Sequence, residues 1–451
     1  MSTRQVHWPH RERTPDERIG TTKRREQALS RVLTTYIGTG LGFMLLPGTF
    51  LGVWNLLSIS SSHTSNSVPP AWIQAHGHAQ VFGWIATFIL GIGFYSIPKM
   101  RRAQPFAMWE AWICWVIWTT AVALRWVAAV YSMRWRLLVP ISAGLELVAF
   151  AIFFKTVSSH RPTGSDEASP TLNRWILVVI MGAVGLLATL ITNFVGSVEI
   201  ALHASSPAFG PDFDERFLVL MAWGFMVPFA WGFSARWLST FVGLRPPCER
   251  GLMLMLGLNT IGVGLATLGR IRIAVFLFLA ASLMSLLAIR VAFRAVRPAK
   301  IQRIHPSFPY FVRLAYAWLV VAAMLGVWAV FAQRADGIWG ASRHALTVGF
   351  VATMVFAIGQ RILPAFSGMR LLYSRKLMAA GLSLLTIGCL VRVTSEVVAY
   401  RGLAQSAWTW LPISAVIELT AVTLFAANLF ATFLSSPPSR LARIRGGIPR
   451  E

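Results

Sequence analysis

His78–Pro98 reads HAQVFGWIATFILGIGFYSIP, and His344–Pro364 reads HALTVGFVATMVFAIGQRILP. The two stretches align without a gap, 266 positions apart, matching His78 with His344, Gly83 with Gly349, Thr87 with Thr353, Gly93 with Gly359 and Pro98 with Pro364. Each is one apolar helix with an imidazole near its start. At 1.5 Å per residue, His to Pro covers roughly 30 Å, one hydrocarbon thickness. The rest of the chain reads as a frame around these two helices.

The composition fits that frame. Of 451 residues, 55% are hydrophobic and only 13% are charged, and the mean hydropathy is +0.60. Repeated runs of about 20 apolar residues indicate a multi-pass helical membrane protein. The ten-residue alternation of a membrane β-barrel is missing. Residues 1–31 carry eight Lys/Arg and four Asp/Glu. They lack the apolar core of a signal peptide and read as a basic cytoplasmic tail. The net charge of +24 sits in loops beside helices, where it reports topology rather than nucleic-acid binding. Cys114, Cys248 and Cys389 form no CxxC and read as small packing residues.

Twelve spans are expected, at about 33–58, 72–98, 107–130, 138–157, 174–203, 216–240, 250–269, 271–296, 309–332, 340–364, 377–399 and 409–434. An even number puts both tails on one side. Loops on that side hold Lys99, Arg101, Arg102, Lys155, Arg161, Arg174, Arg236, Arg245, Arg250, Arg290, Arg294, Arg297, Lys300, Arg303, Arg370, Arg375 and Lys376. The opposite loops include Ser60–Ala75, without Lys or Arg, and the acidic Asp212, Asp214 and Glu215, against the fewer arginines Arg134, Arg136, Arg334 and Arg401. By the positive-inside rule both termini are expected to be cytoplasmic, and both histidines then start inbound helices near the outer face.

The repeat extends further. LVPISAGLEL at Leu138–Leu147 recurs as WLPISAVIEL at Trp410–Leu419, matching Pro140 with Pro412 and Glu146 with Glu418. Arg125 and Arg392 close the preceding spans. The expected architecture is therefore all-α, with twelve transmembrane helices in three pseudo-repeated four-helix units: 32–160, a degenerate 174–297, and 309–435. Basic tails, 1–31 and 437–451, flank them. In the middle unit the histidine position is Val219.

An imidazole just inside a bilayer needs a partner. Two neutral imidazoles on facing helices are what a six-coordinate heme iron requires, so His78 and His344 are candidate axial ligands of one b-type heme. Alternatively, each bonds a nearby carbonyl and only records a duplication. His76, two residues before His78, points to another helix face, as a metal ligand or an interfacial residue. Glu146 and Glu418 are candidates for proton transfer or for a bond to a liganding histidine. They are equally candidates for salt bridges to Arg125 and Arg392. Those arginines could instead hold heme propionates.

Together, His78-Ala-Gln-Val-Phe-Gly83, His344-Ala-Leu-Thr-Val-Gly349 and the continuation from Arg361 through Gly368 to Arg370 resemble the NnrS family, heme- and copper-associated membrane proteins linked to nitric oxide metabolism. Through it the chain resembles the main subunit of heme-copper oxidases. That resemblance implies twelve helices in three arcs, with the second and tenth supplying the axial pair, here His78 and His344. The oxidase pattern also puts a heme ligand two residues before the tenth-helix histidine, where this chain has Ser342. It needs copper-binding histidines on spans 6 and 7, and Arg216–Gly269 contains none. Phe366 stands where the NnrS pattern has His. No complete oxygen- or NO-reducing centre is therefore visible.

The expected function is heme-based electron transfer or nitric oxide response, with lipid, a redox partner or NO as partners. The rival readings are a transporter coupled through Glu146 and Glu418, and an assembly or stress-response membrane protein without heme.

Overall fold

In a computed structural model, which describes residues 15–100, 106–158, 173–300, 303–332, 336–368 and 370–435, twelve helices are long and apolar enough to cross a membrane. They are α1 Arg24–Ser62, α2 Pro70–Lys99, α3 Met108–Tyr131, α4 Trp135–Ser158, α5 Arg174–His203, α6 Pro211–Phe241, α7 Glu249–Thr267, α8 Ile271–Ala288, α9 Phe308–Ala329, α10 Gly337–Phe366, α11 Arg375–Tyr400 and α12 Ala407–Leu434. Among the described residues there is no strand. The chain is a multi-pass membrane protein.

Two expected boundaries move. The eighth span ends at Ala288, not near 296, because Ile289 caps it and Arg290 turns left-handed at φ 66°. The helix that becomes α1 already begins at Pro15, so residues 15–31 are helical. Residues 1–14 and 437–451 lie outside the described residues.

Neighbours in sequence pack as antiparallel neighbours, most extensively α3 with α4, α7 with α8 and α11 with α12, and α12 returns against α1. The three inner helices are α2, α6 and α10, with 78, 61 and 67% of their most apolar windows buried against 33–50% for the other nine. Small residues permit this. Gly185 of α5 lies directly on Gly224 of α6, where a Cβ would reach 1.9 Å from the Gly224 carbonyl oxygen. Such backbone approach is the usual basis of helix packing in lipid, where expulsion of apolar surface from water contributes nothing.

Each inner helix also contains a π-helical segment: Ala79–Ala86 in α2, Leu220–Met226 in α6 and Ala345–Ala352 in α10. These begin one residue after His78, Val219 and His344. A fourth, Met44–Phe50, lies in α1 around Pro47. A π-turn interrupts the i→i−4 ladder, and a released backbone group needs another partner in lipid. Threonines provide it. The hydroxyl of Thr87 donates to Phe82 O at 3.0 Å, Thr353 to Val348 O at 3.2 Å and Thr49 to Met44 O at 2.8 Å. In α6 the ninth residue after Val219 is Pro228, which has no N–H to donate.

Candidate functional site

His78 ends the first turns of α2, and its ring is 7% exposed. Its Nε2 lies 2.7 Å from Glu146 Oε1 on α4. The other oxygen of Glu146 accepts a hydrogen bond from Asn193 Nδ2 of α5 at 2.9 Å. Phe82 packs against the imidazole at 4.5 Å. Glu146, fully buried, thus has both oxygens engaged, as a carboxylate at this depth requires. Arg125 does not form the expected salt bridge to it. Its Nη1 donates to Ser197 Oγ at 3.4 Å, and its guanidinium lies 4.9 Å from the Phe209 ring centre.

His344 starts the π-turn of α10 within a different group. Its Nδ1 is 3.0 Å from Gly340 O and 3.5 Å from Glu396 Oε2 on α11. Arg392 Nη2 is 3.4 Å from that same oxygen. Gly340 makes room for this carboxylate, since a Cβ there would meet Glu396 Oε1 at 2.0 Å. Several bonds remain unmade. Arg392 Nε and Nη1 and Glu418 Oε1 are buried without a hydrogen-bond partner. Glu418 and Arg392 lie within electrostatic range of one another without a contact short enough to be a salt bridge.

The imidazole on the His344 side of α2 is His76. It lies within electrostatic range of both His344 and Arg392. Its Nδ1 is 2.9 Å from Gly48 O of α1, and its ring covers Gly52, where a Cβ would meet it at 2.7 Å. A carbonyl only accepts, so His76 and His344 each carry a proton on Nδ1, and in the neutral ring the lone pair is on Nε2. Carbonyl-tethered Nδ1 is also the arrangement that orients a metal-binding imidazole. His78 instead turns its Nε2 to a carboxylate. Positions 76 and 78 lie two residues apart on a helix, about 200° around the axis, which separates their surroundings.

Sequence reading missed Glu396 and Asn193. Glu396 follows Arg392 by four residues, a local signal for a partner on the same helix face. Asn193 has no such signal. Ser342 donates to Ala322 O at 2.8 Å. Cys114 and Cys389 are buried thiols, as expected, and Cys248 is exposed. Among the described residues, no three His, Cys, Asp or Glu side chains gather into a metal site.

The comparisons with known proteins concern the fold. A family model described as a domain of unknown function (DUF8744) matches residues 238–433, from the end of α6 through α12. No curated protein matches the chain. Among solved structures, a heme-copper terminal oxidase dimer determined by cryo-electron microscopy is similar, with a TM-score of 0.55 and 12% sequence identity over 91% of this chain and 85% of that one. At that identity the likeness is one of fold. The twelve helices form a distant heme-copper-oxidase-like bundle.

Proposed function

We propose that the protein is an NnrS-like heme-binding protein of a bacterial inner membrane, with cytoplasmic termini, acting in nitric oxide response or electron transfer. The observation that carries this is the pair of carbonyl-tethered imidazoles, His76 and His344, in one cluster beside a buried arginine with unmade bonds. The donors fit a heme. Two neutral Nε2 atoms suit a six-coordinate iron, and Arg392 Nε and Nη1 lack the acceptors that propionates supply. When bound, the heme would supply one-electron chemistry. The chain's own residues would orient the two imidazoles through Gly48 O and Gly340 O and neutralise carboxylates through Arg392.

His344 keeps its proposed role from the sequence, and His76 replaces His78 as the preferred partner. Arg392 remains the proposed propionate contact, with Glu418 nearby. Arg125 and Glu146 belong to the His78 side. We also propose that the bundle comprises three four-helix units, 32–160, 174–297 and 309–435. The inner position of α2, α6 and α10 and their matched π-turns support this.

The test is the reduced-minus-oxidised optical spectrum of protein purified from heme-replete cells, beside His76→Ala, His78→Ala and His344→Ala. We expect a low-spin b-type spectrum, lost in His344→Ala and His76→Ala and retained in His78→Ala. Loss in His78→Ala with retention in His76→Ala would return the ligand role to His78. Heme-free wild-type protein would sink the heme reading.

A further inference from the structure

At the other end of α10 the chain builds a second, basic concavity. Arg361 follows His344 by 17 residues, about 25 Å along the helix. A cleft of about 370 Å³ opens there between the ends of α6 and α10, the segment before α9 and the loop after α10. Lys300, Arg303, Arg361 and Arg370 line it, and among the described residues no Asp or Glu does.

The fold fixes these cations, and none of the described carboxylates is paired with them. Gly243, at φ 77°, takes a conformation that L side chains rarely adopt, and a Cβ there would strike Arg297 O. Its carbonyl accepts from Val296 N and Arg297 N, and Lys300 N donates to Phe241 O at 3.1 Å. The segment carrying Lys300 is thereby pinned to the end of α6. Arg370 Nε donates to Ser367 O at 2.9 Å, and its Nη1 donates to Phe433 O and Ser435 O. Arg361 lies 4.3 Å over the Phe241 ring, and its Nε is buried without a hydrogen-bond partner. Glu26, the carboxylate that reaches this end through Tyr95 and its stacking on Phe366, is already bonded to Lys99 and Tyr95.

Topology alone asks only for positive charge on one side of the membrane. It does not ask for four cations around one hollow, or for a guanidinium within a span with a bond unmade. A buried donor left unsatisfied is costly, and four gathered cations repel, so the arrangement fits an anion with several acceptor oxygens. We propose that this cleft binds a phosphate group, carried by an anionic phospholipid of the adjacent leaflet or by a soluble phosphate.

The experiment uses the full chain, delipidated in uncharged detergent at low ionic strength. Inorganic phosphate is titrated by calorimetry. In parallel, native mass spectrometry counts lipid adducts after exposure to phosphatidylglycerol or phosphatidylcholine. The variants are Lys300→Gln/Arg303→Gln, whose side chains are exposed and leave the fold intact, and Arg361→Gln. Arg245→Gln/Arg250→Gln is the control, since neither residue lines the cleft. We expect one probe to bind and its affinity to fall at least about tenfold in both test variants but not in the control. Binding of phosphatidylglycerol without phosphate assigns the group to a lipid, and binding of phosphate assigns it to a soluble ligand. No binding of either probe, or equal binding in all proteins, overturns the proposal. His344→Ala should leave the affinity unchanged, which separates this site from the heme reading.

Discussion

Two glutamates occupy matched places in one repeat and have different surroundings. Glu146 on α4 meets the histidine of its own unit, and Asn193 takes its second oxygen. Glu418 on α12 has no such contact with His344. Its Oε1 is buried without a partner, while Glu396, from the neighbouring helix, stands beside that histidine. The sequence places the same residue type at both matched positions, and the neighbouring helices decide what each one touches. On the His78 side both oxygens of Glu146 are engaged, and the bond left over is the buried Oδ1 of Asn193. The second keeps an arginine and a glutamate with bonds to spare. A half-satisfied polar group in a membrane either destabilises the protein or waits for a ligand.

The comparison can be broken most forcefully at Glu146. Glu146→Ala leaves His78 Nε2 and Asn193 Nδ2 buried and unpaired, and should cost about 3–5 kcal/mol. The check is unfolding in mixed micelles titrated with SDS, where a change under 1 kcal/mol would remove the claim that this pair is structural. Next comes Thr87→Val. It strips the Phe82 carbonyl of its threonine donor and deprives Trp118 Nε1 of an acceptor at 2.9 Å. A loss of about 1–3 kcal/mol is expected in the same assay. Thr353→Val, whose described hydroxyl bond goes only to Val348 O, should lose about 1 kcal/mol. Equal losses at the two threonines would mean that the tryptophan contact contributes nothing. The smallest effect belongs to Glu418→Gln, within about 0.5 kcal/mol of wild type. A loss as large as that of Glu146→Ala would show that Glu418 has a partner after all.

How far the sequence carried these conclusions varies along the chain. The twelve spans were legible because lipid leaves little choice: about 20 apolar residues must be helical to satisfy their own backbone. The end of α8 was not, since Val291, Phe293 and Val296 continue the apolar run past the point where Arg290 turns the chain. At the candidate site, alignment singled out His78 because it is the residue matching His344. Alignment reports ancestry, whereas the partner of an imidazole depends on which way the helix faces. Little more than half a turn of helix separates the surroundings of His76 from those of His78, and nothing in the local pattern ranks them. Glu396 was within reach, four residues beyond Arg392. Asn193 was not, because its role arises only when α5 lies against α4.

The π-turns have a further consequence. Each stores one residue more than an α-helical turn would hold. Removing a single residue from Ala345–Ala352 would rewind that turn to an α-helix, and the glycines and prolines below it would keep their facing. Only the few residues above would swing round. The inner helices are thus hinged rods in the bookbinder's sense: the upper leaf, with its imidazoles, can be re-indexed while the spine stays bound. One residue removed there turns the imidazole-bearing segment by about 100° about the helix axis and leaves the membrane-spanning body beneath it in place.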